Sequence, residues 1–264
     1  MVEPKYPGVV EQYVNLGDCY DRTSLAPLRS QIMDCMKDYK SCYQRAYRCL
    51  NAASQVDADA RSILLTDELH DRLEKRALGI LSREIPHQKS ILPGPVRQRF
   101  LSAVSHKGRM VLFDTVKAQC SRVYELSDRY GLAHPLLCFL LAEITAAGFG
   151  VVACPSPLAP DRLEHLLVPQ LGLAFVSSSP ALPYPDKAYR RLRLDSMADA
   201  ELLRRIKARL RFACRMADSL TEEAVASLAQ AKAMHDTLES LYNPHVDFDR
   251  VNHTADALCR QLFG

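Results

Sequence analysis

The residues with the clearest potential for chemistry follow a short β-rich run near the middle of the chain. Val123, Tyr124 and Leu126 belong to that run, a polar loop over residues 127–135 comes next, and an apolar helix is predicted over residues 136–147. A second apolar run, residues 149–154, follows the helix. A strand, loop and helix in this order can hold a phosphate, because loop amides and the helix N-terminus both donate to the anion. The sequence therefore indicates the layout of a phosphate-binding loop.

The residues that bind the phosphate are missing from this loop. A working loop has the pattern GxxxxGK[ST], whose lysine contacts the phosphates and whose hydroxyl binds Mg²⁺. Here Asp128 and Ala133 stand at the glycine positions, His134 at the lysine and Pro135 at the hydroxyl. Each lost charge-assisted hydrogen bond is worth about 1.5–3 kcal/mol, so losing two or three weakens nucleotide binding by roughly two to six powers of ten.

The candidate cofactor-binding residues are those of the degenerate loop, with no catalytic residue and no metal ligand predicted. They are Asp128, Arg129, Tyr130, Gly131, Leu132, Ala133, His134, Pro135 and Leu136. The run LGLAFVSSS ends in Ser177–Ser179 and lacks the aspartate that commonly holds Mg²⁺ at the end of such a strand. We therefore expect no cofactor, with ATP and Mg²⁺ as the alternative.

Two further pairs of residues have spacings that suit a general base or a metal. Asp161 and His165 lie four apart in a helix predicted over residues 161–167, where Asp161 equally suits a helix N-cap. His235 and Glu239 share one face of a later helix. The role of these four residues stays open.

Composition limits the classes of partner. The 264 residues are 48% hydrophobic and 25% charged, the balance of a globular protein, and the net charge of +3 is too small to favour nucleic acid. No apolar run reaches the roughly 18 residues that span a bilayer, and MVEPKYPG lacks the pattern of a signal peptide. Nine cysteines without a CxxC pair favour free thiols. We expect a cytoplasmic protein that binds neither nucleic acid nor membrane.

The chain divides into three parts. Residues 1–95 are helical, with a helix over residues 24–54 and a second one, over 66–82, that is predicted to return along it. Residues 96–196 alternate between apolar runs and helices, and residues 197–264 form a helical tail that packs on this middle part. The predicted strands are 100–104, 122–126, 149–154, 171–176 and 189–194, and the predicted helices between them are 109–118, 136–147 and 161–167.

This alternation predicts an α/β fold with a mostly parallel sheet and helical crossovers, flanked by N- and C-terminal helical segments. Together with the loop after residue 126, it favours a sheet of the P-loop NTPase-like kind.

Three segments, in order, resemble a poorly characterised bacterial family of ATPase-like proteins with two P-loop domains in tandem, each followed by a helical tail. They are RVYELSDRYGLAHPLL, CPSPLAPDRLEHLLVPQLGLAFVSSSP and MHDTLESLYNPHVDFDRVN. The resemblance implies that this chain contains only the second nucleotide domain, preceded by the tail of a lost first one. Since the family's GKS/T loop is replaced here by DRYGLAHPL, ATP hydrolysis does not carry over.

The sequence therefore predicts a pseudo-ATPase that acts through a protein partner or as a homo-oligomer, by way of its helical segments. Two alternatives remain. In one, a nucleotide-dependent ATPase uses the loop amides and Arg129 in place of the lysine, or a partner supplies a working P-loop. In the other, the same helix N-terminus binds a phosphate or another anionic metabolite without Mg²⁺.

Overall fold

The structure is a computed structural model that describes residues 6, 8–86 and 92–264. The contacts group the chain into two compact units. Unit 1 consists of Met1–Tyr43 and Gln230–Gly264, and unit 2 of Gln44–Ala229. The three-part division predicted from the sequence follows the order of elements along the chain and stays a prediction.

The helices and strands are labelled in chain order. The helices are α1 (Arg22–Leu25), α2 (Arg29–Ser62), α3 (Asp67–Glu84), α4 (Phe113–Gln119), α5 (Ala133–Ala146), α6 (Ala200–Tyr242) and α7 (Phe248–Phe263). The strands are β1 (Val96–Gln98), β2 (Ser102–Ser105), β3 (Gly108–Val111), β4 (Arg122–Ser127), β5 (Val151–Pro155), β6 (Leu163–Val168), β7 (Leu173–Ser178) and β8 (Arg190–Arg193). The boundary between the units falls inside α2 and α6.

Unit 2 is built on a six-stranded sheet with the order β1-β5-β6-β7-β4-β8. Strand β6 is antiparallel to both its neighbours, and the other pairs are parallel. The prediction of an α/β fold with a mostly parallel sheet and flanking helices is therefore confirmed. Strands β2 and β3 form a separate antiparallel hairpin.

The central strands are buried on both faces, which explains their continuous apolar runs. Alternate residues of β7 enter different clusters: Phe175 packs with α5 and α3, whereas Val176 packs with Val116 of α4. Helix α3 is tied to β4 through Glu84, which accepts a hydrogen bond from the Tyr124 hydroxyl at 2.7 Å and forms an ion pair with Arg122. These contacts hold the sheet whose carboxyl edge carries the loop.

Three predicted elements differ from the structure. The predicted helix over residues 161–167 is wrong, because residues 163–167 belong to strand β6, which is paired on both sides by β5 and β7. The predicted helix over 109–118 divides into β3 and α4, since Gly108 takes a φ of +103° and closes the β2–β3 hairpin. The helix predicted over residues 66–82 is α3, and it packs against α5 instead of returning along α2.

Unit 1 has its own small core of Ile32, Cys35 and Leu238. The Cys35 thiol donates to the Met234 carbonyl at 3.4 Å, so the first part of α2 lies beside the last part of α6. Helix α7 begins at a conventional cap, where the Asp247 carboxylate accepts from the Arg250 amide at 2.9 Å. Within the described residues, no helix has the length and apolar character required to cross a membrane.

Candidate functional site

The loop between β4 and α5 is organised around the carboxylate of Asp128. One oxygen, Oδ1, accepts from the backbone amides of Leu132 at 2.8 Å and Tyr130 at 3.2 Å. The other, Oδ2, accepts from the amide of Ala133, the first residue of α5, at 2.7 Å. These amides belong to the loop and helix N-terminus that would hold a phosphate, and they are already bonded to a carboxylate of the same chain.

Asp128 is 8% exposed, and burial raises the pKa of its carboxyl while the backbone donors oppose that shift. At this position of the loop, the negative charge of Asp128 would repel a phosphate. The structure adds a second effect, because the carboxylate also takes up the hydrogen-bond donors that the phosphate would need. An incoming phosphate would have to displace it.

The other predicted loop residues contact the protein itself. Nδ1 of His134 accepts from the Leu163 amide at 2.9 Å, so this side chain joins α5 to the start of β6. Gly131 has a φ of +72°, and its carbonyl accepts from the Arg162 guanidinium at 2.9 Å. The Tyr130 carbonyl accepts from Nε of Arg61, in α2, at 3.3 Å. Leu132 and Leu136 are buried in the core, and Pro135 lies in the first turn of α5.

Arg129, the residue proposed to replace the lysine, is exposed. Its amide donates to Oδ1 of Asp195 at 3.0 Å, just beyond the carboxyl end of β8. Burial raises the pKa of Asp195 to about 6, with the Arg129 amide acting in the opposite direction. A second carboxylate of the chain is thus bound to this loop.

The serines that end β7 also have partners within the sheet. The Ser177 hydroxyl donates to the Glu164 carbonyl at 2.6 Å, and the Ser178 hydroxyl donates to the Glu125 carboxylate at 2.7 Å. The Ser179 hydroxyl accepts from the Leu182 amide at 3.2 Å. These contacts hold the carboxyl end of β7.

Asp161 and His165 do not share a helix face, because Asp161 lies in the turn before β6 and His165 lies within that strand. His165 is fully buried, its Nδ1 accepts from the Ser177 amide at 3.1 Å, and its Nε2 lies 2.8 Å from the Ser102 hydroxyl. Since Nδ1 is an acceptor, the ring proton is on Nε2, which then donates to Ser102 and cannot serve as its general base. Burial lowers the pKa of His165 to about 3, so the ring is neutral near pH 7.

A cavity of about 260 Å³ lies beside the loop. It is bounded by the loop after β4, the ends of β5 and β7, the start of β6, β3, and residues of α2 and α6, all within unit 2. Four arginines line it: Arg61, Arg109, Arg129 and Arg162. Four acids also line it: Asp57, Asp128, Glu164 and Asp218. The cavity is therefore a charged pocket at the carboxyl edge of a mostly parallel sheet, where α/β proteins commonly bind ligands.

The charges of this pocket are only partly paired. Within the described chain, none of its four arginines forms an ion pair. Oε2 of Glu164 is buried and has no hydrogen-bond partner among the residues that the structure describes. Burial raises the pKa of Glu164, and the Ser102 hydroxyl and the charge of Arg109 oppose this shift. Burial also raises the pKa of Asp57.

Arg61, Arg162 and Glu164 were not among the predicted site residues. Arg61 lies almost seventy residues before the loop that it contacts, so only the folded chain brings the two together. The positions of Arg162 and Glu164 depend on β6, whose segment was predicted to be a helix. A six-residue apolar run is ambiguous between a strand and a helix face, so the sequence offered no clear signal for this pair.

The predicted pair on the later helix lies in unit 1, and Asp236 joins it. The ligand atoms of His235, Asp236 and Glu239 lie within 4.8 Å of one another, and all three residues are exposed. Asp236 also pairs with Lys232, one turn earlier in α6. An exposed cluster on one helix, with one carboxylate already paired, is common without a metal, and it supports no assignment.

Comparisons of this chain with protein-family models, curated proteins and solved structures found no match.

Proposed function

We propose that this chain is a P-loop-like pseudo-ATPase that acts by binding a partner and does not hydrolyse nucleotide. The observation that carries this proposal is the carboxylate of Asp128, which accepts from the amides of Tyr130, Leu132 and Ala133. A triphosphate that used the same amides would place its charge against a buried carboxylate, a repulsion that grows as water is excluded.

The replaced residues support the same conclusion. His134, at the lysine position, is bonded to the Leu163 amide, and burial lowers its pKa, so it supplies no charge near pH 7. Pro135 has no hydroxyl for Mg²⁺. Ser178, near the end of β7, donates to Glu125. The local arrangement of strand, loop and helix is thus maintained by contacts that need no nucleotide.

Calorimetry with Mg-ATP, together with an assay of phosphate release, tests the loss of nucleotide binding. The wild-type chain is expected to give no saturable heat at about 1 mM nucleotide and no phosphate release above buffer. Binding at about 1 μM would contradict the proposal. The combined variant Asp128→Gly, Ala133→Gly, His134→Lys and Pro135→Ser is expected to gain binding, provided that thermal unfolding shows it to be folded, because the phosphate then replaces the Asp128 carboxylate as acceptor of the loop amides. Asp128→Asn alone, which keeps a side chain in the loop, is the matched control.

The protein partner is expected to bind through helical segments. In unit 1, α7 leaves the large apolar side chains of Phe248, Leu262 and Phe263 exposed. A protein partner that covered them would remove this apolar surface from water. Light scattering and pull-down with the full chain should reveal an oligomer or a bound protein, which Leu262→Ser with Phe263→Ser should weaken. A monomer that captures nothing, in both the wild type and the variant, would argue against this part of the proposal.

A further inference from the structure

The charged cavity of unit 2 contains two arginines that are held side by side. Arg61 and Arg162 donate to the carbonyls of Tyr130 and Gly131, which are consecutive in the loop. Both arginines line the cavity, and neither forms an ion pair in the described part of the chain. Burial, and next the charge of Arg61, lower the pKa of Arg162. An oxyanion between them would remove this repulsion and accept from both planar groups.

An acceptor without a donor lies on the wall of the same cavity. Arg162 closes the turn that precedes β6, where its amide donates to the Ala159 carbonyl at 2.9 Å, and β6 begins at the next residue. Glu164 is the second residue of that strand, and both side chains line the cavity. Oε2 of Glu164 is buried, and its nearest basic group is Nε2 of His165 at 3.6 Å.

We propose that this cavity binds a small zwitterion of amino-acid size, with its carboxylate on Arg61 and Arg162 and its ammonium group on Glu164. A ligand of this kind satisfies both unpaired charges at once, which an anion alone or a cation alone does not. The site is separate from the helix N-terminus, whose amides are bonded to Asp128. The inference thus goes beyond the pseudo-ATPase proposal and does not depend on it.

The size of the cavity agrees with such a ligand. Pockets for drug-sized molecules usually measure about 300–1,000 Å³. The volume of about 260 Å³ lies below that range, which favours a compact metabolite over a nucleotide. Leu163, Leu210 and Ala217 contribute apolar surface to its wall, where a short aliphatic side chain would pack.

Calorimetry with matched small probes tests this inference. Glycine, L-alanine, L-serine and L-valine carry both charges, acetate carries only the anion, and methylammonium only the cation. We expect at least one amino acid to bind more tightly than acetate by a factor of about ten or more, because one additional charge-assisted hydrogen bond is worth at least that factor. Methylammonium is expected to give no saturable heat. If no amino acid saturates by about 10 mM, or if acetate binds equally well, the inference is overturned.

Two variants test the two ends of the ligand one at a time, and a third is a control. Arg162→Gln should weaken amino acids and acetate alike by about tenfold to a hundredfold. Glu164→Gln should remove the advantage of the amino acids over acetate. Arg76→Gln, on the exposed side of α3, is the control and should bind like the wild type.

Thermal unfolding of each variant checks that it is folded. Should Arg162→Gln prove unstable, Arg162→Lys keeps the charge, loses the planar fork and should still weaken the anion end. Unchanged amino-acid binding in a folded Arg162 variant would contradict the assignment. Failure of the amino-acid probes would overturn only this inference, whereas tight binding of Mg-ATP would contradict only the pseudo-ATPase proposal.

Discussion

Two carboxylates on the wall of one cavity differ in their hydrogen bonding. Asp128 accepts from three backbone amides, whereas one oxygen of the Glu164 carboxylate is buried without a hydrogen-bond partner in the described structure. Burial raises the pKa of both groups, but only Asp128 has backbone donors that oppose the shift.

The difference separates a group that maintains the fold from a group that is available to a ligand. A buried polar atom with all its partners holds neighbouring segments in place, and removing it leaves several donors unbonded. A buried polar atom without a partner costs stability, and such a cost is commonly retained where a ligand supplies the partner. The two carboxylates should therefore respond to mutation with opposite signs.

The largest effect is expected for Asp128→Ala. This change leaves the amides of Tyr130, Leu132 and Ala133 without their acceptor, at about 1–3 kcal/mol each. The free energy of unfolding should fall by about 5 kcal/mol, measured by urea denaturation. Asp71→Ala, on the exposed face of α3, should change it by less than about 0.5 kcal/mol. A loss no greater than that of the control would show that the amides find other partners.

His165 extends the comparison to a second group whose partners are complete. Its pKa is lowered to about 3, so the stability that the neutral ring contributes is fully present above about pH 6.5 and is lost as the pH falls toward 3. The total loss is about 5 kcal/mol, at 1.36 kcal/mol per unit of pKa. His165→Gln keeps an acceptor and a donor but does not titrate.

Urea unfolding at about pH 7.5 and about pH 4.5 checks this expectation. The wild type should lose stability between these values, and His165→Gln should lose less. Asp195→Asn is the useful companion, because the raised pKa of Asp195 gives the opposite slope, with stability lost as the pH rises through about 6. Equal slopes in the wild type and His165→Gln would mean that the imidazole takes up a proton in the folded chain as readily as in the unfolded one, which would contradict the lowered pKa.

A substitution at Gly131 tests whether the position of Arg61 in the cavity depends on the loop. A Cβ at this position would lie 2.6 Å from Nε of Arg61, and the φ of +72° disfavours any other residue. Gly131→Ala should cost about 2 kcal/mol and displace Arg61. The matched control is Gly79→Ala in α3, where a Cβ meets nothing within 4 Å. It should stabilise by about 0.5–1 kcal/mol, and the opposite signs can be measured in one set of unfolding curves.

The smallest change in the free energy of unfolding is expected for Glu164→Gln, and its sign is the most informative result. Replacing a desolvated carboxylate by a neutral amide of the same shape should raise the free energy of unfolding by about 1 kcal/mol. Glu143→Gln, exposed on α5, should have almost no effect. If Glu164→Gln proves as destabilising as Asp128→Ala, Glu164 maintains the fold and the comparison fails.

Much of the sheet could be predicted from the sequence, because its parallel strands are short apolar runs between helices. Strands β4 and β7 follow this pattern and were predicted within two residues of their ends. Strand β6 was not, since Leu163, Leu166 and Leu167 also have the spacing of a helix face and a six-residue run is ambiguous between the two. That error concealed the relation of Arg162 to Glu164.

The chemistry of the loop was predicted in part. The four replaced positions indicated that a phosphate would bind poorly, and the structure gives a further reason in the bonds of Asp128. The local signal in the sequence was an aspartate at the start of a loop, because aspartates commonly accept hydrogen bonds from backbone amides a few residues later. The contact of Arg61 with Tyr130 was not predictable, because it joins two segments that are distant in the chain.

The antiparallel position of β6 also affects how the sheet is assembled. Strands β5, β6 and β7 pair with their neighbours in the chain, whereas the residues of β4 pair with residues of β7 that lie 51 positions later. Local pairs close smaller loops and lose less chain entropy, so this three-stranded meander should fold first and then recruit β4 and β8. The start of β6, with Arg162 and Glu164, would thus be in place before the loop that carries Asp128 is closed.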